Sequence, residues 1–463
     1  MYPRDGETSR SIHTRDVGGD LRFSIESRIP SDILELIFEA GAQIVQWQST
    51  SNSTPIEIVM SHVNRRWREI AVDLAVLWSF IRVSPFEAVD KLETYFQRSK
   101  NHALRVCLLA YAGYWRPEMV EKMRPHLHRF RRFHLVTDFI YSTPTVSSHF
   151  EPFDMPDLEC FLYTPLDNAD RFPDTSPAPP LLPFARGAPL LTSVRLNGPM
   201  LDLIRPPFIG ITQLCLTEER FPIPFRSICE ILKSCVSLIK FSFSGHTQRP
   251  HRRLATPLDV APFSLPELRY LMLSNGGNCD VLLSAMTAPK LCSLRLNNFD
   301  EGDLAYFLQL SQESKFPVLE SLSFFDNTFS TNDYHDIARI FPAIRSFACV
   351  NSSFTDDVLD FLAPLPTSNG ATHMPWPNLG ALFFSQAQFT EKHQATLCSL
   401  VAARITVRAP ILSLFLGHVN RLLLDSDRLD WLRERLRVDE SLEMPEDEEM
   451  RLLAEFSGDG NKC

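Results

Sequence analysis

Leu268-Arg269-Tyr270-Leu271-Met272-Leu273 and Leu291-Cys292-Ser293-Leu294-Arg295-Leu296 repeat one pattern, apolar-x-x-apolar-x-apolar, and its recurrence decides the fold. The pattern starts at Phe130/Phe133/Leu135 and returns at Leu158/Phe161/Tyr163, Leu191/Val194/Leu196, Ile211/Leu214/Leu216 and Leu238/Phe241/Phe243. After the two quoted copies come Leu319/Leu322/Phe324, Ile344/Phe347/Cys349, Leu379/Leu382/Phe384 and, as the last candidate, Ile411/Leu414/Leu416. One copy means nothing, because the pattern is loose. Recurrence at roughly 20–30 residues is the mark of a stacked repeat architecture. A Pro precedes many copies (Pro156, Pro189, Pro266, Pro289, Pro317, Pro342, Pro377). Pro cannot donate a ladder hydrogen bond, so it is expected just before a strand, fixing how the chain enters it.

Between copies the spacing predicts helical returns over Phe225–Ser234, Cys279–Met286, Gly302–Gln312, Asp333–Ile340 and Thr355–Leu362. The two widest gaps hold Pro173–Pro180 and Pro364–Gly370, which read as loop insertions into an otherwise regular period. A single strand-plus-return unit cannot bury its apolar face alone. Stacked neighbours bury it for one another, and the ends need caps. Leu104–Leu108 alternates as a strand and is assigned to an N-terminal cap, between short helices over Phe86–Ser99 and Pro117–Leu127. Trp431–Val438, with Leu429, Leu432 and Leu436 on one face, reads as the closing helix.

The array resembles an irregular leucine-rich repeat. That resemblance implies a strand-lined horseshoe in which the positions between the buried residues face the concave side. These are Arg195 and Asn197, Lys240 and Ser242, Tyr270 and Met272, Ser293 and Arg295, Ser321, Ser323 and Phe325, Ser346, Val350, and Ala381 and Phe383. The first copies are polar with some positive charge, and the later ones are apolar. Aromatic and Arg side chains dominate protein interfaces. Tyr270, Arg295, Phe325, Val350 and Phe383 are therefore the expected contacts for a protein substrate. The Asn that follows the strand in regular repeats of this family is matched only by Asn327.

Ahead of the array, Ile29-Pro30-Ser31-Asp32-Ile33-Leu34-Glu35-Leu36-Ile37-Phe38 opens a second pattern. Pro30 suits a first helical turn and Asp32 complements the helix dipole. Ile33, Leu34, Ile37 and Phe38 make one apolar face. Gly41 is the expected stop, and the polar run Gln43–Thr54 reads as a loop. A short helix over Ile56–His62 follows. A further helix has Val63, Trp67, Ile70, Ala71 and Leu74 as its stripe, and the segment ends Leu77-Trp78-Ser79-Phe80-Ile81. Both tryptophans read as packing residues. In order and spacing these parts resemble an F-box. The resemblance implies that Ile29, Pro30, Ile33, Leu34 and Ile37 dock on a small Skp-type adaptor and, through it, a cullin. Ile29 stands where the family usually has Leu. A unit this small buries little surface alone, so a leftover apolar strip is expected to find a partner.

Composition narrows the classes. The 463 residues suit two domains or an extended array, and 44% hydrophobic residues suffice for a core. A net charge of −10 argues against nucleic-acid binding, which needs a basic surface. No apolar run is long enough to span a membrane. The ten scattered cysteines form no C-x-x-C pair, and reduced thiols in a cytoplasmic or nuclear protein are expected. His126, His128 and His134 lie among Arg129, Arg131 and Arg132, which reads as a charged solvated face, not a ligand set. No phosphate loop, nucleophile elbow or H-E-x-x-H occurs, so no enzyme, metal or cofactor is expected.

The sequence thus predicts an α/β chain: a flexible arm (1–28), a three-helix F-box-like domain (29–84), a linker and cap (85–129), an irregular leucine-rich-repeat solenoid (130–438) and an acidic tail (439–463). The expected function is substrate recognition within a Skp–cullin–F-box ubiquitin ligase. A non-ligase F-box scaffold and a plain repeat binding module are the alternatives.

Overall fold

A computed structural model describes residues 29–48, 54–111, 114, 116–137, 149–150, 153–165, 187–197, 208–217, 225–245, 261–274, 279–299, 315–327, 329–350, 356–363, 365–366, 372–385, 391–417 and 425–440. The expected arm, the Pro173–Pro180 insertion, the Gly302–Gln312 helix and nearly all of the acidic tail lie outside them. The chain divides into two compact units. The first runs to Trp78 and adds Arg98–Lys100; the second takes Ser79–Gln97 and everything from Asn101.

The first unit is helical: α1 (Ser31–Gln48), α2 (Ile56–Val63), α3 (Arg65–Asp73) and a 3-10 turn (Ala75–Trp78). Leu34, Phe38 and Ala42 recur every four residues along α1 and are 1%, 0% and 2% exposed. Gly41 does not stop this helix. A Cβ there would sit 3.1 Å from Met60 Cε and 3.6 Å from Ile56 Cδ1, so the missing side chain lets α2 approach α1. Helix α1 therefore runs through the beginning of the expected loop. Asn64 caps α3, its Oδ1 accepting from the Trp67 amide at 2.8 Å. The Trp67 ring lies 4.9 Å from that of Phe38. Trp78 is 1% exposed, donates Nε1–H to the Ala71 carbonyl at 2.8 Å, and has the Arg98 guanidinium 4.3 Å above its ring. Both tryptophans thus pack within this unit.

Among the described residues, the second unit is built on a sheet of fourteen parallel strands, each pairing with its neighbours in chain order, with no closure into a barrel. They are β1 (Phe80–Val83), β2 (Leu104–Ala110), β3 (Phe130–Thr137), β4 (Cys160–Pro165), β5 (Ser193–Asn197), β6 (Gln213–Thr217) and β7 (Lys240–Ser244). Then come β8 (Tyr270–Ser274), β9 (Ser293–Asn297), β10 (Ser321–Phe325), β11 (Ser346–Val350), β12 (Ala381–Ser385), β13 (Ser413–Gly417) and β14 (Arg437–Asp439). Every copy of the sequence pattern carries one of these strands, giving a solenoid-like α/β unit. The middle and last apolar residues of each copy stack in register: Leu271, Leu294, Leu322, Phe347, Leu382 and Leu414 form one row, each no more than 1% exposed.

The prolines act one step earlier than expected. The residue before Pro156, Pro189, Pro266, Pro289, Pro317 or Pro377 offers its carbonyl to the amide three residues on, as in Ala288 to Leu291 at 3.1 Å. Each proline is thus the second residue of a β-turn, where its preset φ fits, and the turn delivers the first apolar residue of the copy. Helices return the chain at Phe225–Ser234, Cys279–Ala285, Thr331–Ile340 and Asp356–Leu362, close to the expected spans. A longer return, Glu391–Thr406, was not legible. Its core includes Arg404, fully buried, whose guanidinium donates to the carbonyls of Ala409, Pro375 and Trp376 at 3.2, 3.3 and 2.7 Å. Burial pushes its pKa down to about 10.

Three boundaries differ from expectation. The sheet begins at Phe80, inside the span assigned to the F-box, because the Leu-Trp finish ends the helical unit at Trp78. The Leu104 strand is an ordinary member of the ladder, not a separate cap. At the other end the helix lies earlier, at Ser426–Arg433, and a short strand, β14, closes the sheet. The second insertion is flanked by an antiparallel pair, Leu365–Pro366 with Thr372–His373.

Asn327 is 3% exposed; its Nδ2 donates to the Leu296 carbonyl at 2.9 Å and its Oδ1 accepts from the Phe299 amide at 2.6 Å. It ties one repeat to the one before. Asn327→Ala strands both backbone groups and lowers stability by about 2–4 kcal/mol, read as a urea midpoint shift. Gly41→Leu presses against Met60 and Ile56 and lowers stability by about 1–3 kcal/mol, read in the same way.

Candidate functional site

Two surfaces stand out. In the first unit, Ile33, Leu36 and Ile37 are 43%, 61% and 48% exposed on α1, and Val59 and Val63 are 50% and 47% exposed on α2. Positions i, i+3 and i+4 share one helix face, so α1 has an inward stripe (Leu34, Phe38, Ala42) and an outward one. Of the five residues expected to meet an adaptor, Ile33 and Ile37 lie on the outward stripe, Pro30 is exposed and Ile29 is half-buried. Leu34 does not belong with them; it is core. Leu36, Val59 and Val63 were missed. The i, i+3 relation of Ile33 to Leu36 was the available signal, hidden because Leu34 and Phe38 completed an equally good pattern. The Arg66 guanidinium fastens the start of α1, donating to the Ile29 carbonyl at 2.6 Å and to Ser31 Oγ at 3.2 Å.

The second surface is the sheet face turned away from the core. Strand alternation puts three rows there. The first runs Arg105, Arg132, Cys160, Ser193, Gln213, Lys240, Tyr270 and onward; the second runs Arg82, Cys107, His134, Leu162, Arg195, Cys215 and onward to Arg295 and Phe383; the third holds Asn297, Phe325, Val350 and Ser385. All five residues expected to bind substrate lie on this face, but they do not form one open patch. Arg295 is 6% exposed, with its guanidinium 4.3 Å over the Phe325 ring, and Val350, beside Phe325 in register, is 7% exposed. These two are correspondingly poor contacts: side chains of adjacent strands cover one another. Tyr270, Phe325 and Phe383 stay half-buried. Tyr270 lies 5.7 Å from Lys240 Nζ, and Phe383 stacks on Phe415 at 4.3 Å.

The beginning of this face is basic. Arg82, Arg105, Arg132 and Arg195 are half-buried on β1, β2, β3 and β5. Among the described residues, Arg82, Arg105 and Arg195 make no ion pair or side-chain hydrogen bond. Burial and the charge of Arg132 push the Arg105 pKa down. His134 sits between Arg82 and Arg195 in its row, with Nε2 3.0 Å from Thr164 Oγ1 and Nδ1 3.8 Å from Cys107 Sγ. Burial, then Arg195 and Arg82, push its pKa down to about 4, so the ring is neutral near pH 7. It is not part of a solvated histidine cluster. His126 instead stacks on Phe96 at 4.1 Å. Beside Arg195 a shallow depression is lined by Cys160, Leu162, Gln213 and Cys215.

Among the described residues no group of three or more His, Cys, Asp or Glu could hold a metal, and no helix is long and apolar enough to cross a membrane. The described cysteines form no disulfide; burial pushes the thiols of Cys229 and Cys235 up to about 11, which keeps them protonated.

The neutral state of His134 makes a pH prediction. The unfolded chain takes up the proton near pH 6.5, whereas the folded one resists it down to about 4. Stability is therefore lost as pH falls through that window. His134→Gln flattens the fall in melting temperature between pH 6.5 and 4.5. In the native protein, Arg195→Met moves the ring titration upward by nuclear magnetic resonance. In comparisons with known proteins, no family model matches this chain and no curated protein matches it.

Proposed function

We propose that this chain is a substrate-recognition subunit of a Skp–cullin–F-box ubiquitin ligase. Its helical unit is an F-box that holds a Skp-type adaptor, and its sheet unit is an irregular leucine-rich repeat that holds a protein substrate. One observation carries the reading: the helix that opens the F-box-like sequence leaves Ile33, Leu36 and Ile37 in water on one face. Apolar side chains grouped in this way are expected at a protein interface, and an amphipathic helix laid in a partner's groove is a common solution. The order of parts in the sequence names the partner.

In this reading the chain performs no chemistry. It works by proximity: tethering a substrate beside a ubiquitin-carrying enzyme raises its effective concentration without any new bond made on this polypeptide. A cytoplasmic or nuclear setting follows from that partnership.

The test is co-expression with a Skp-type adaptor and a cullin. The chain should co-purify with both, and ubiquitin should pass to a captured protein. Ile33→Ser combined with Ile37→Ser should reduce adaptor capture at least tenfold while the melting temperature stays within a few degrees. Leu34→Ala is the contrasting variant: it should unfold the helical unit, at a cost of about 2–5 kcal/mol. Capture of the adaptor without a cullin would point to a scaffold outside the ligase. No adaptor capture at all would leave a plain repeat binding module.

A further inference from the structure

The first two outward rows of the sheet carry one sign of charge on a chain that carries the other. From β1 to β9 they hold Arg82, Arg105, Arg132, Arg195, Lys240 and Arg295, and neither row holds an Asp or Glu before Asp439 on β14. With a net charge of −10 to draw on, the sequence has carboxylates to spare. They are used just outside these rows: Glu159, immediately before β4, pairs with Arg131 of β3 at 2.7 Å, and Glu320 with Arg345, immediately before β10 and β11, at 3.3 Å. The absence of carboxylates from the face is therefore segregation, not a shortage.

The six cations are not equivalent. Lys240 and Arg295 are 5% and 6% exposed and lie against the rings of Tyr270 and Phe325. The four on the first five strands remain half-exposed. Arg105 and Arg132 are register partners, so their backbones stand about 4.8 Å apart. Like charges on adjacent strands repel, and partial burial weakens the water that would screen them. An anion placed over them relieves both costs. From Arg82 to Arg195 is four strand spacings, roughly 19 Å. A lone small anion reaches two of these groups at most. An extended polypeptide advances about 3.3 Å per residue, so about seven residues crossing the strands, with a carboxylate at every other position, carry four carboxylates over that span.

We propose that the β1–β5 end of the outward sheet face binds an extended, carboxylate-rich segment of a partner protein. This sharpens the substrate-binding half of the reading above and depends on it for its biological setting. It moves the anchor away from the aromatic residues of β8–β12 to Arg82, Arg105, Arg132 and Arg195.

The experiment is a fluorescence-anisotropy titration of the full-length protein with a labelled eight-residue peptide of alternating Glu and Ser. Binding should weaken with added salt, and the Arg105→Met/Arg132→Met variant should bind at least tenfold more weakly. Arg195→Met alone should weaken it severalfold, which guards against a folding defect in the double variant. Ile405→Ala, exposed on the Glu391–Thr406 helix, should bind as the unaltered protein does. The proposal is overturned by equal binding of a Gln-for-Glu peptide, by no effect of the arginine substitutions, or by tighter binding of single-stranded RNA of equal charge. It is also overturned if the peptide binds only after Glu443, Glu446, Asp447, Glu448 and Glu449 are changed to amides, because the chain's own acidic segment would then be the occupant. Adaptor capture should be untouched by the arginine variants. Capture failing while the peptide binds would sink the ligase reading alone, and the converse would sink this one alone.

Discussion

A short parallel strand satisfies none of its own backbone groups, so each five-residue strand of this sheet depends on the next copy. From β4 to β13 the junction is the same. The carbonyl of the residue just before one strand accepts two consecutive amides from the start of the following copy. Thr192 and Ser193 donate to Glu159, Thr212 and Gln213 to Thr192, Ile239 and Lys240 to Thr212, and the series runs on to Leu412 and Ser413 on Gly380, all between 2.8 and 3.1 Å. Buried peptide groups are paired almost without exception, so this ladder fixes the register of every strand. A slip of one residue would exchange the core row of leucines for the outward row of arginines and serines. Both the core and the candidate binding face are consequences of that register.

The same constraint explains what lies between the strands. The described helical returns differ in length, from seven residues to sixteen. The sheet does not sense them as long as a β-turn presents the first apolar residue at the right height. Proline is well suited there because it presets the turn. Where the turn alone is not enough, other groups are recruited: Asn327 bridges two copies, and Trp376 donates its indole N–H to the Phe341 carbonyl at 2.8 Å. Arg404 completes the same region by donating to the carbonyls of Ala409, Pro375 and Trp376, the last of which also accepts the Leu379 amide of the turn. Its charge is tolerated because its donors are aimed at carbonyls.

The helical unit solves a different problem. Three short helices bury one stripe each, and α1 is long enough to have a second. The inward residues were hard to tell from the outward ones because Ile33 and Leu34 are neighbours of nearly equal hydrophobicity. Either can start a four-residue repeat, and only the position of α2 and α3 settles which is core. Gly41 has the same ambiguity: a glycine inside a helical pattern marks a stop as readily as a close helix contact, and here Met60 and Ile56 make it the second.

The amino-acid sequence alone determined where the strands fall, since a period-two apolar pattern recurring in every copy has only one way to bury itself. It also determined that helices precede the array and that Asn327 is special among the asparagines. Tertiary structure decided which outward residues are open. Arg295 and Val350 lie on the right face yet are covered by their neighbours, whereas Arg82, Arg105 and Arg132 are not. Alternation along a strand is a local property and can be read along the chain. Coverage depends on what adjacent strands place beside a side chain, and those neighbours are roughly twenty to thirty residues away.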